Sequence, residues 1–117
     1  MKHFFYLSTC DTCKRIMKQL PLEGITLQDI KTVPMTPEQV DQMIARAGSA
    51  AALFSKRARK YKELGLKDKE LSEAQIRQLI IEEYTFLKRP VLVLDEAIFI
   101  GNTAKVVEAA QAALSAL

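Results

Sequence analysis

The sequence predicts an α/β fold in which a mixed sheet is laid down in the order βαβ…ββα, with a helical insertion between the two halves. Three observations predict it. An aromatic and apolar run at the amino terminus, KHFFYL, is followed by a helical pattern and then by a second strand-like run, ITLQDIK. That is the minimum for a right-handed crossover between parallel strands. Near the carboxyl end, VLVLD and IFI are close enough to form a hairpin, whereas residues 35–86 carry helix starts and helical spacing without a strand pattern.

Residues 2–7 end at Ser8-Thr9 and read as a short buried strand. Asp11 follows, and Ile16, Met17 and Leu20 keep helical spacing until Pro21 stops the helix. Residues 25–31 form the second strand after Gly24. Thr36-Pro37-Glu38-Gln39 is a helix start: Thr caps, Pro fits the first turn, and Gln39 completes a capping box. Val40, Met43, Ile44 and Ala47 form one apolar face, and Gly48 ends it. A short Ala-rich piece from Ser49 to Phe54 precedes a basic run that leads to a helix stop at Leu64-Gly65. Ser72-Glu73-Ala74-Gln75 starts another helix, with Ile76, Leu79, Ile80 and Tyr84 in register. After Arg89-Pro90, VLVLD suits a central strand, and Glu96-Ala97 make the tight connection to IFI. Gly101-Asn102-Thr103 lead into a closing helix that buries Val106, Val107, Ala110 and Leu114. This is the thioredoxin/glutaredoxin-like order, so residues 1–117 read as a single thioredoxin-like domain with 35–86 as an insertion within it.

Composition fits such a domain: 49% of the 117 residues are hydrophobic and 26% charged, which excludes a disordered chain. Two cysteines are too few for a disulfide-stapled miniprotein, and no apolar stretch approaches the ~18 residues of a membrane span. The amino terminus lacks a signal-peptide pattern, so a cytoplasmic location with reduced cysteines is expected. Seventeen Lys and Arg against 14 Asp and Glu give a net charge of +3, too small to suggest direct nucleic-acid binding. The charge is uneven, however, and is concentrated in Lys56-Arg57-Ala58-Arg59-Lys60-Tyr61-Lys62. A solvated helix face or a partner surface accounts for such a run.

Cys10-Asp11-Thr12-Cys13 carries the chemistry. The motif falls where the first strand ends and the first helix begins. A sulfur there meets unsatisfied backbone N–H groups and the positive end of the helix dipole, both of which favour the thiolate. Lys14 and Arg15 add positive charge nearby. Cys10 is expected to be the exposed nucleophile, and Cys13, one helical turn on, the less exposed partner that reaches back to form a disulfide. Zinc needs four ligands, and two Cys with one His do not supply them, so no metal site is expected. His3 lies inside the first strand and is expected to have no chemical task. Arg89-Pro90 is the second element. A proline opening a central strand removes a ladder donor. It is either a cis-proline facing the cysteines, with Arg89 beside Cys10, or an ordinary strand-start proline followed back by a solvent-facing arginine.

CDTCK after the first strand, SKRARKYKELGL in the insertion, FLKRPVLV before the hairpin and the Gly-Asn turn into the last helix together resemble the arsenate-reductase-related branch of the thioredoxin-like proteins. That family includes the glutaredoxin-coupled arsenate reductases (ArsC), the Spx transcriptional regulators and the YffB proteins, and the resemblance spans nearly the whole chain. It implies that Cys10 is the attacking cysteine and that Arg89 lies near a bound oxyanion. It also implies that Thr9, Asp11, Thr12, Arg57 and Pro90 line the substrate side. The pair Cys10 and Cys13 is similar to that of Spx, and Arg57 matches a basic residue of Spx proteins. Two further arginines of the arsenate reductases fall at Ser55 and near Gly101 in this chain, which removes charge-assisted bonds worth on the order of 1.5–3 kcal/mol each. The resemblance thus implies a monomeric thiol–disulfide oxidoreductase without a bound cofactor. Its reductant would be glutathione, glutaredoxin or thioredoxin. The other implied role is a redox-sensing regulator that binds the RNA polymerase α subunit.

Overall fold

The amino-terminal run forms strand β1 (Lys2–Tyr6), and Asp11–Gln19 forms helix α1, which returns the chain to strand β2 (Thr26–Asp29). The hairpin strands are β3 (Val91–Leu94) and β4 (Ala97–Ile100), and the chain closes with helix α5 (Ala104–Ser115). The computed structural model describes residues 1–117 and divides into two compact units: Met1–Val33 with Arg89–Leu117, and Pro34–Lys88.

In the first unit the four strands lie in the order β2-β1-β3-β4. β1 and β2 are parallel, with Tyr6 opposite Asp29, and β3 is antiparallel to both β1 and β4. Phe4 faces Leu92 across the β1–β3 ladder. Those two and Leu94 join Ile16, Leu20 and Ile25, together with Ala110 and Leu114 of α5, in one buried cluster. Phe5, Val91 and Val93 alternate with them on the opposite face and are equally buried. Burial on both faces is why VLVL reads as an unbroken apolar run rather than an alternating one. The hairpin turn is Asp95-Glu96, with Ala97 already paired to Leu94 in β4, one residue earlier than the sequence suggested. Asp95 takes a left-handed φ of 52°, a conformation that Asp tolerates better than most residues in a two-residue hairpin.

The second unit is helical. Helix α2 (Pro37–Ala47) starts from a complete Thr36/Gln39 capping box and ends on Gly48 at φ 91°. The basic run gives only a five-residue helix, α3 (Arg59–Glu63), whose stop is made by Leu64 and by Gly65 at φ 63°. Helix α4 (Glu73–Glu82) begins from a Ser72/Gln75 capping box and buries Ile76 and Ile80. Tyr84, expected in register with that helix, instead opens a 3₁₀ turn over Tyr84–Phe86. There Phe86 stacks on Phe54 at 5.1 Å, and Tyr61 meets Phe54 edge-on at 5.9 Å. The Ala-rich piece is a second 3₁₀ turn, held by the Glu73 carboxylate, which accepts the Ala50 and Ala51 N–H groups at 2.6 and 3.2 Å.

Candidate active site

The site is built on the step from β1 into α1. Leu7, Ser8, Thr9 and Cys10 make a turn closed by the Cys10 N–H donating to the Leu7 carbonyl at 3.0 Å. This turn places Cys10 at the N-cap of α1 in an extended conformation (φ −98°, ψ 111°). An N-cap normally offers a side-chain oxygen to the free N–H groups of the first turn. Cys10 makes no such capping bond, yet the amides of Cys13 and Thr12 are aimed at its sulfur. Cys13 lies one turn further along α1 and is fully buried, whereas Cys10 is partly exposed; both are free thiols. Thr9 and Asp11 are exposed beside Cys10, and Thr12 is half-buried.

The environments separate the two thiols. Burial pushes the Cys10 thiol up, but the amide and thiol of Cys13, the Arg89 guanidinium and the Thr12 amide together outweigh it, and the net shift is downward. At Cys13 burial wins, and its interaction with Cys10 raises it further despite opposing help from the Leu7 amide and Arg89, so its pKa stands at about 11. One sulfur is therefore set up to ionise while its neighbour stays protonated.

Arg89 comes from the approach to β3. The Arg89–Pro90 peptide bond is cis, Pro90 is buried, and Arg89 is half-buried with its charge felt at both cysteines. Of the two sequence readings of this dipeptide, the observed geometry is the one with a cis bond and an inward-acting arginine. Pro90 also accepts the Gly101 N–H at its carbonyl, at 2.9 Å, which ties the site to the start of α5. Gly101 itself adopts φ 92°, in a region that disfavours a side chain such as arginine. Cys10, Cys13, Thr9, Asp11, Thr12, Arg89 and Pro90 all belong to the first unit; Arg57 is exposed in the second. His3 stacks on Phe5 at 4.3 Å and shares a 2.8 Å hydrogen bond with the Gln28 side chain, a purely structural setting.

One residue near the cysteine turn was not singled out by the sequence reading. The Asp29 carboxylate at the end of β2 accepts the Ser8 N–H at 3.2 Å. The signal was present in outline. Two parallel strands joined by a crossover finish at the same edge of the sheet, so a carboxylate ending β2 arrives beside the loop that follows β1.

A four-stranded mixed sheet in this order, with a cysteine pair at the start of the first helix and a cis-proline before β3, defines a thioredoxin-like fold. The ArsC family model matches residues 5–110, and the chain belongs to the ArsC family. Among solved structures, the YFFB protein superposes with a TM-score of 0.78 at 22% identity, over 95% of this chain and 99% of its own. The arsenate reductase from Vibrio cholerae gives 0.76 at 17% identity, over 97% and 96%. SACOL0876 from Staphylococcus aureus COL gives 0.73 at 29% identity, over 93% of this chain and 97% of its own. No curated protein sequence matches. The YFFB and Vibrio likenesses establish the shared fold, and the substrate must be argued from the site.

Proposed function

We propose that the chain is a thiol–disulfide oxidoreductase in which Cys10 attacks and Cys13 resolves. The observation that carries this reading is the placement of the two thiols: Cys10 is partly exposed at the N-cap of α1, where it is held below the ordinary cysteine value, and Cys13 is buried one turn on, where burial raises it to about 11. In the first step the Cys10 thiolate attacks one sulfur of a substrate disulfide. A mixed disulfide forms, and the other substrate half leaves as a thiolate that takes up a proton. Consumption of the Cys10 thiolate removes two of the influences that kept Cys13 protonated, its hydrogen bond to that sulfur and the nearby negative charge. Cys13 then gives up its proton and attacks the Cys10 sulfur. The second substrate half takes up that proton and leaves as a thiol; the two electrons gained by the substrate have come from the protein, which is left oxidised as a Cys10–Cys13 disulfide. A thiol reductant (glutathione, glutaredoxin or thioredoxin) would restore the dithiol, without a bound cofactor. Arg89 stabilises the thiolate or an anionic group on the substrate, and Pro90 shapes the side on which the substrate lies. Thr9, Asp11 and Thr12 line the rim around Cys10. Arsenate is a poor fit, because Ser55 and Gly101 stand where further arginines would be needed to hold the dianion. Thiol titration of the reduced protein tests the reading. A Cys10 pKa clearly below that of a free cysteine is expected, and one no lower than it overturns the proposal.

A second reading is favoured by the exposed basic segment. Lys56 and Arg57 lie exposed in the turn before α3, and Arg59, Lys60 and Lys62 are exposed on that short helix, which buries nothing of its own. Such a surface suits an acidic protein partner, and the Spx-like cysteine pair points to the RNA polymerase α subunit. In this role disulfide formation would switch binding rather than turn over substrate. A pull-down with that subunit in both redox states decides it: redox-dependent capture supports the regulator, and absence of capture in either state removes it.

A further inference from the structure

We propose that Asp29 is a positioning residue for the Cys10 thiolate: its carboxylate grips Ser8 and, through the Leu7–Cys10 turn, fixes Cys10 at the start of α1. The inference rests on the oxidoreductase reading above and extends the site to a residue from a different strand. Asp29 pairs with Tyr6 in the parallel β1–β2 ladder, which brings the end of β2 to the place where β1 hands the chain to the cysteine turn. There its Oδ1 accepts the Ser8 N–H at 3.2 Å and the Lys31 N–H at 3.2 Å. The Ser8 side chain also favours the ionised form of the same carboxyl. The bond to Lys31 is what any aspartate in a turn makes with its own neighbours. The bond to the Ser8 N–H crosses 21 residues of chain and bears directly on the cysteine turn.

That turn has little slack. Leu7 uses its carbonyl to accept the Cys10 N–H at 3.0 Å, and its own amide faces the Cys13 sulfur. The Leu7 carbonyl and the Ser8 N–H belong to one planar peptide group, so the bond from Ser8 to Asp29 also orients the carbonyl that holds the Cys10 N–H. The Cys10 sulfur gains from the Thr12 and Cys13 amides only while it stays aligned with them, and hydrogen bonds weaken steeply as that geometry is lost. Ser8 donates its backbone N–H to Asp29, so movement of the turn away from the end of β2 is resisted. Ser8 and the Lys31 N–H together hold the Asp29 carboxyl below its ordinary value, so it is ionised wherever a cysteine titrates.

Charge and positioning predict opposite results. A carboxylate near a thiolate repels it, so if Asp29 acted through its charge alone, removing it would ease Cys10 ionisation. If Asp29 acts by holding the turn, removing it makes ionisation harder. The experiment is the pH dependence of Cys10 alkylation by iodoacetamide in the reduced full chain, comparing wild type with Asp29→Ala, Asp29→Asn and Asp29→Val. Asp29→Ala is expected to move the curve to higher pH and slow alkylation at pH 7 by roughly three- to tenfold. Asp29→Asn, which keeps an acceptor oxygen for the Ser8 N–H, is expected to recover most of that loss. A curve that stays in place or moves to lower pH in Asp29→Ala overturns the proposal. Should Asp29→Ala not fold, Asp29→Val, which also removes the acceptor but suits a strand end, decides in its place: a shift to higher pH supports the proposal, and no shift or a shift to lower pH overturns it. A wild-type Cys10 that titrates like a free thiol strikes the oxidoreductase reading instead. A lowered wild-type value that Asp29→Ala leaves unchanged strikes this inference alone.

Discussion

Cys10 and Cys13 share a helix turn and a neighbouring guanidinium, yet they are driven in opposite directions. The difference is exposure and position along α1. Cys10, at the N-cap, faces amides that no helical carbonyl claims, whereas Cys13 has moved inside the core and feels burial more than any donor. Arg89 is the common influence, lowering both. Replacing it should therefore shift both thiols upward together, unlike a change in the cysteine turn, which acts mainly on Cys10. We expect Arg89→Met to slow iodoacetamide alkylation of Cys10 at pH 7 by roughly two- to tenfold, the range for a partly solvated charge pair. Arg89→Lys keeps a positive charge and should recover much of the rate. If the methionine variant reacts as fast as wild type, the arginine does not act on the thiolate.

The helices of the second unit owe their starts to local chemistry. Thr36 accepts the Gln39 N–H at 3.1 Å while the Gln39 side chain accepts the Thr36 N–H at 3.0 Å. Ser72 and Gln75 repeat the exchange at 3.2 and 2.8 Å. Each box satisfies two orphan donors, so Thr36→Ala and Ser72→Ala should each destabilise the protein by about 1 kcal/mol, read as a lowered urea midpoint. Features of this local kind were legible before any coordinates, because the residues concerned lie within four positions of one another. The same holds for the order βαβ…ββα, for Gly48 and Gly65 as helix stops, and for the cysteine pair at a helix start. What escaped was set by distant contacts or by short geometry. Tyr84 keeps helical spacing with Ile80 but turns into a 3₁₀ segment whose Phe86 pairs with Phe54, and no periodicity within α4 encodes that partner. The hairpin turn slipped by one residue because Asp95 takes a left-handed conformation and Ala97 pairs with Leu94, a choice made by the ladder. The sequence left the Arg89–Pro90 bond open between two geometries for the same reason. Asp29 was missed because its partner Ser8 belongs to another element.

Ionisation of the two thiols couples the site to the stability of the whole molecule, and the signs are opposite. Cys10 has a folded-state pKa below the ordinary 9.0. As pH rises from that lowered value towards 9, the folded protein has released this proton while the unfolded chain still holds it, so stability increases. Cys13 has a folded-state pKa of about 11. As pH rises from about 9 to about 11, the unfolded chain has lost the proton that the folded protein keeps, so stability decreases. The reduced protein should therefore show a urea midpoint that climbs on the neutral side of pH 9 and declines on the alkaline side. Single substitutions separate the limbs: Cys10→Ser should remove the climb, and Cys13→Ala should flatten the decline while lowering the midpoint at all pH values through lost packing. In Cys10→Ser the decline should also be shallower than in wild type, because part of the upward pressure on Cys13 comes from the Cys10 thiolate itself. A wild-type midpoint that is flat from pH 7 to pH 10 would mean that neither thiol differs between the folded and unfolded states. The active-site assignment and the stability profile then fail together, because both follow from the same two sulfurs.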